Sequence, residues 1–158
     1  MKLLPIYQKI KEKTKKIAND EGIYRQIDQS VDELNINIFN SEGINGFGIE
    51  VNVNNIPFKG QKTITTKITH QIEDWFPEKI MTDKKQKEEY LQKFKQYPRC
   101  YAEDIDGEII RITCDQESKQ PYQEDQLEPL IDHEIDTLYQ KLEETVTKIE
   151  NDIKKEQV

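Results

Sequence analysis

The chain has 158 residues, of which 34% are hydrophobic and 34% charged, and only two are cysteines. That is the length of about one domain. It can bury a core without staples, and two cysteines exclude a disulfide-scaffolded secreted module. The formal net charge of −8 is unevenly placed: residues 101–158 carry 6 basic against 17 acidic residues (−11), while 1–34 stand at +1 (7 against 6) and 35–100 at +2 (10 against 8). An acid-rich last third disfavours direct nucleic-acid binding, which needs a basic footprint, and suits a basic protein partner.

The chain opens on "MKLLPIYQKIKEK". Its apolar run is too short for the core of a signal peptide, and no stretch approaches the ~20 apolar residues of a membrane span. A soluble cytoplasmic protein with no membrane contact is expected. Over residues 1–34, Leu3, Ile10, Ile17, Tyr24 and Val31 recur every seven residues, and Ile6, Ile27 and Leu34 fill the position three further on. Lys13 and Asp20 interrupt that second series, and Gly22 sits inside the pattern. This is a heptad with two polar breaks, which predicts a long coiled-coil-like helix or two helices sharing a face.

Three strands are expected next. "LNINIF" puts Leu34, Ile36 and Ile38 on one face. "FGIEVNV" puts Phe47, Ile49, Val51 and Val53 inward, and "TITTKITHQI" does the same for Ile64, Ile68 and Ile72, with Thr66 and His70. Period-two alternation over such lengths is a strand signal, and an antiparallel meander with one solvated face fits it. "EDWFPEKIM" reads as irregular, with Pro77 as breaker. A helix is predicted over 82–97, capped by Thr82, striped by Tyr90, Leu91, Phe94 and Tyr97, and stopped by Pro98.

"CYAEDIDGEIIRITC", residues 100–114, reads as a hairpin turning at Asp106-Gly107. A two-residue turn would mix Glu103 into the apolar side. A three-residue loop Ile105-Asp106-Gly107 sorts the arms better, with Cys100, Ala102, Ile110, Ile112 and Cys114 on one face and Tyr101, Glu103, Ile109, Arg111 and Thr113 on the other. In that register the cysteines are diagonal, ~7–8 Å apart, which is too far for a bridge, so two buried free thiols are expected. Residues 115–126 read as a polar loop. From 127 to 156 a helix is predicted, with Ile131, Ile135, Leu138, Leu142, Val146, Ile149 and Ile153 as its stripe. The stripe repeats after eleven residues, a period of ~3.67 per turn that favours a straight or slightly right-handed seam. The amino-terminal helix or a second copy of the chain would cover it.

Chemistry-bearing clusters are sparse. "DIDGE" (Asp104, Asp106, Glu108) is a fragment of a calcium loop without the flanking helices that loop requires. "DHEID" (Asp132, His133, Glu134, Asp136) offers two ligands from one helical turn and needs a third from elsewhere. His70 with Glu73 and Asp74 is a base-plus-carboxylate set or a core-edge histidine. "GINGFG" precedes a strand and so is a turn rather than a phosphate cradle, and no Ser or Cys stands in a nucleophile motif. Ile56, Phe58, Trp75 and Phe76 lie in irregular stretches beside prolines, where they cap the core or, if exposed together, form an interaction patch.

The expected architecture is therefore a single α+β domain, 1–158: a meander of three antiparallel strands plus a hairpin, packed by long amino- and carboxy-terminal helices and one middle helix. In its order of helix, three strands, helix, two strands, helix, this small acidic chain resembles the class I chaperones of bacterial type III secretion. The likeness lies in element order over most of the chain, with no residue motif behind it and a longer first helix. It implies a dimer that holds a segment of another protein. The functional expectation is a non-enzymatic protein-binding module: a dedicated chaperone, an immunity- or antitoxin-like inhibitor, or a complex subunit. It needs no cofactor, and Ile56, Phe58, Trp75, Phe76, Asp132, Glu134 and Asp136 are its candidate contacts. Two alternatives stand beside it. One is a small metal-assisted hydrolase drawing on His70, Glu73, Asp74, Asp104, Asp106 and His133. The other is an accessory subunit of a nucleic-acid-processing complex using Lys9, Lys11, Lys13, Lys15 and Lys16.

Overall fold

A computed structural model describes residues 8–10, 12–13, 23–29, 33–40, 45–58 and 61–157. It is an α+β structure built on one six-stranded antiparallel sheet. The strands are β1 (Ile23–Gln29), β2 (Glu33–Asn40), β3 (Asn45–Phe58), β4 (Gln61–Trp75), β5 (Cys100–Ile105) and β6 (Ile109–Pro121), in the spatial order β1-β2-β3-β4-β6-β5. Helix α1 (Lys84–Lys95) links β4 to β5, and helix α2 (Leu127–Gln157) follows β6. The meander thus has four strands, not three, and the hairpin inserts so that β6 pairs with β4 and β5 forms the edge.

The fourth strand is the largest departure from expectation. Residues 8–10 and 12–13 are helical, but residues 23–29 form β1 instead of continuing a helix. Ile23, Tyr24 and Ile27 are β-branched or aromatic residues that fit a pleated surface, and Gly22 ahead of them disfavours a continuous helix. The seven-residue spacing therefore crosses different elements, with Ile10 in the helical stretch, Tyr24 in β1 and Leu34 in β2. Leu3, Ile6, Ile17 and Val31 lie outside the described residues.

On β3 and β4 the alternation is realised as read: Phe47, Ile49, Val51, Val53, Ile64, Thr66, Ile68 and Ile72 are all buried. Both strands run further than expected. The β3–β4 register shifts between Asn54 and Phe58, an irregularity that accommodates Pro57, which has no N–H for the ladder. Residues 115–121, expected as loop, continue β6 opposite Thr63–Thr69 of β4. Their composition hid them because β5 ends opposite Cys114, leaving this half of β6 at a free edge where polar side chains suffice. Across the ladder Lys67 stands opposite Glu117 and Thr65 opposite Lys119, placements that suit opposite-charge and polar pairs.

Helix α1 is capped by Asp83 rather than Thr82. The Asp83 carboxylate accepts from the backbone N–H groups of Lys85 and Gln86, satisfying two of the free donors of the first turn. Tyr90, Leu91 and Phe94 are its buried stripe, with Tyr90 and Phe94 edge to face, and Phe76 packs at a tilt on Tyr90 in the same cluster. Helix α2 has 31 residues, a length of about 46 Å. All seven residues of its expected stripe are buried. The sheet covers that stripe: Tyr139 meets Phe47 of β3, Glu143 approaches His70 of β4 and Glu134 meets Ser118 of β6. The amino-terminal helical residues lie along another side of α2, where Lys9 and Lys13 pair with Asp132 and Lys13 also with Asp136, and Ile10 is buried.

Both helices occupy one face of the sheet. Lys87 of α1 bonds to Gly107 and pairs with Asp104, which shares the face of Ala102 and Ile110. Between the helices, Tyr97 donates to Asp152 and Lys93 to Glu156. Among the described residues, no helix covers the opposite face. No helix among them is long and apolar enough to cross a membrane.

Candidate functional site

Among the described residues, two large hydrophobic side chains are exposed, Trp75 at 56% and Tyr101 at 54%, and both lie on the uncovered face. Three cross-strand rows organise the region around them. The first is Trp75, Ile109 and Ile105. The second is Glu73, Arg111 and Glu103, and the third is Gln71, Thr113 and Tyr101. Successive rows on one face are two residues apart, about 6.7 Å, so the patch spans about 13 Å.

Arg111 holds its centre. Its Nε lies 2.6 Å from Oε1 of Glu73, and another guanidinium nitrogen lies 3.8 Å from Oε1 of Glu103. The guanidinium thereby links the carboxylates of the two strands that flank its own. The Gln71 amide donates to the Thr113 hydroxyl at 3.5 Å in the next row. Aromatic rings thus flank a charged row that keeps a formal surplus of one carboxylate, two glutamates against one arginine. Trp, Tyr and Arg are the residue types that dominate binding energy at protein interfaces. The arrangement can bury aromatic area against a partner while Arg111 supplies directional donors.

The turn that sets these rows also corrects the hairpin register. Asp106 (φ 55°) and Gly107 (φ 80°) both take positive φ, and the Glu108 N–H donates to the Ile105 carbonyl at 3.3 Å. That is a two-residue primed turn. Ile105 nevertheless pairs with Ile109, so Glu108 is an extra residue on the β6 side, a bulge. Its carbonyl turns aside to accept from the Phe76 N–H at 2.9 Å. The extra residue restores the parity of a three-residue loop, so the two faces sort as read from the sequence. Each residue of β5, however, sits two positions from its expected partner, and Cys100 faces Cys114 directly rather than diagonally.

The other candidate contacts fall in different surroundings. Phe76 is buried at 1% exposure in the α1 aromatic cluster and presents no surface. Ile56 and Phe58 lie in the irregular end of β3, away from the Trp75 rows. Glu134 is buried and accepts from Ser118 at 2.5 Å. Asp132 and Asp136 pair with Lys13, whose pKa the Asp136 and Asp132 hydrogen bonds raise. The acidic turn of α2 is thus largely engaged within the chain. Tyr101 and Arg111 were missed as contacts because single residues on a strand leave no motif; their placement opposite polar neighbours was the available signal.

The residues of a metal-assisted site are scattered. His70 points to the helices, whereas Glu73 lies on the open face with Arg111. Asp74 accepts from the Trp75 N–H, Asp104 from the Gly107 N–H, and His133 stands exposed on α2. Among the described residues, no three His, Cys, Asp or Glu side chains are grouped to share a metal ion. Of the amino-terminal lysines, Lys9 and Lys13 are paired with aspartates of α2, while Lys11, Lys15 and Lys16 lie outside the described residues. No protein-family model matches the chain, and no curated protein or solved structure matches it either.

Proposed function

We propose that this chain is a non-enzymatic protein-binding module, serving as a dedicated chaperone, an inhibitor or a subunit of a larger assembly. It engages its partner through the uncovered sheet face, with Trp75 and Tyr101 as anchors and Arg111 between them. One observation carries this reading: the two large aromatic side chains that are exposed among the described residues sit on the one face that no described helix covers, on either side of a paired arginine. The acid surplus of residues 101–158 favours a basic partner and would speed its approach at low ionic strength.

The test is recovery of a stoichiometric partner from the native host with the tagged wild-type chain, beside Trp75→Ser and Tyr101→Ser. Both side chains are exposed, so folding stability should stay within ~0.5 kcal/mol of wild type. Each substitution should weaken partner binding at least tenfold. Equal recovery by all three proteins would overturn the assignment of the surface, and a wild-type chain that binds no protein at any salt concentration would overturn the function.

A further inference from the structure

We propose that Cys100 and Cys114 are a redox couple that closes reversibly into a cross-strand disulfide by exchange with a low-molecular-weight disulfide such as glutathione disulfide. The two thiols are free, and the cysteines are direct partners on β5 and β6. The Asp115 N–H donates to the Arg99 carbonyl at 3.1 Å, which makes the adjoining 99/115 position a hydrogen-bonded pair. Antiparallel pairs alternate, so Cys100 and Cys114 form a non-hydrogen-bonded pair, the kind whose Cα atoms approach to about 4.5 Å. A disulfide needs Cα atoms between about 4.4 and 6.8 Å. Directly opposed residues also share a face, so both Cβ vectors point to the same side of the sheet. Closing the bond requires the Cβ atoms to move from about 5 Å to about 4 Å, a strain that favours a labile bond over a permanent staple.

Access differs between the two thiols, which sets the order of events. Cys114 is buried at 1% exposure, while Cys100 is partly open, its Sγ 3.4 Å from the Pro98 carbonyl. A hydrogen bond from Cys114 lowers the Cys100 pKa, and the same bond together with burial raises that of Cys114. The Cys100 thiolate attacks one sulfur of glutathione disulfide, forming a mixed disulfide and releasing one glutathione thiolate. Cys114 then attacks the Cys100 sulfur, which forms the Cys100–Cys114 bond and releases the second glutathione. Two protein thiols are oxidised and one glutathione disulfide is reduced to two glutathiones, which carry the two protons away.

The experiment uses the native full-length chain equilibrated at graded glutathione disulfide to glutathione ratios, acid-quenched, alkylated and weighed intact. The expected product is a monomer two hydrogen masses lighter with no alkylated cysteine. Trypsin should release peptides 100–111 and 112–119 joined as one species, and dithiothreitol should reverse the change. Cys114→Ala should stop at one glutathione on Cys100, and Cys100→Ala should take up glutathione at least tenfold more slowly. Two alkylated thiols at every ratio, a lasting glutathione adduct on the wild type, or a disulfide between two chains would each overturn the proposal.

Discussion

Replacing Thr66 by valine should stabilise this protein. Thr66 is fully buried on the helix-facing side of β4, with Val51 and Ser118 as its cross-strand neighbours. Its hydroxyl has no hydrogen-bond partner, and the Ser118 hydroxyl on the neighbouring strand donates to Glu134 instead. A buried hydroxyl left unpaired costs about 1–3 kcal/mol. Valine has the same branched shape and suits a strand as well as threonine does, so no cavity opens. The expected gain is about 1–2 kcal/mol. For a chain of this size each kcal/mol moves Tm by roughly 2–4 °C, so a rise of about 3–6 °C should appear by calorimetry, with a matching shift in the urea midpoint. Thr65→Val, on the uncovered face, is the control and should change stability by less than ~0.5 kcal/mol. A fall in Tm for Thr66→Val would refute the reasoning, since it would mean that the hydroxyl is bonded in the folded protein.

Two further outcomes follow from the same face of the sheet. His70 is mostly buried with neither ring nitrogen hydrogen-bonded, and burial lowers its pKa against the opposing pull of Glu150, with Glu143 3.7 Å away. The unfolded chain therefore binds this proton at higher pH than the folded one. Its contribution to stability is complete above the unfolded value of about 6.5 and declines as pH falls below it, by at most about 1.4 kcal/mol per pH unit. Urea titrations of wild type and His70→Leu from pH 5 to 8 should show a flatter profile for the variant; parallel profiles would contradict it. Leu142, fully buried in the middle of the α2 stripe, should cost about 2–5 kcal/mol when cut to alanine. A loss under 1 kcal/mol in the same titration would mean that α2 does not pack on the sheet as described.

How far the chain could be read depended on where each segment's hydrophobic pattern came from. The buried stripe of helix α2 was legible in full, with the helix running one residue further than expected, to Gln157, because one long element packs on one surface and its stripe has a single period. Strands β3 and β4 were legible for the same reason, their burial following from alternation alone. The first strand was not: Ile23, Tyr24 and Ile27 satisfy a strand and a heptad equally well over so few residues, and pairing with β2 decides between them. The second half of β6 was hidden because an edge strand with polar neighbours needs no alternation. In the hairpin, the sorting of faces was legible, but the register depended on whether Glu108 would bulge, which is set by its carbonyl bonding to Phe76 across the sheet. The candidate site was legible only at Trp75. Tyr101 and Arg111 join it through cross-strand rows that exist only once β4, β6 and β5 are assembled.

If the uncovered face around Trp75, Arg111 and Tyr101 does the binding, a bound partner must shield it. The measurement that bears on it most directly is hydrogen–deuterium exchange of the chain alone and in complex with its recovered partner. Exchange should slow over residues 71–75 and 100–105 in the complex, and this protection should be lost for Trp75→Ser. Protection confined to α2, with β4 and β5 exchanging as in the free chain, would contradict it.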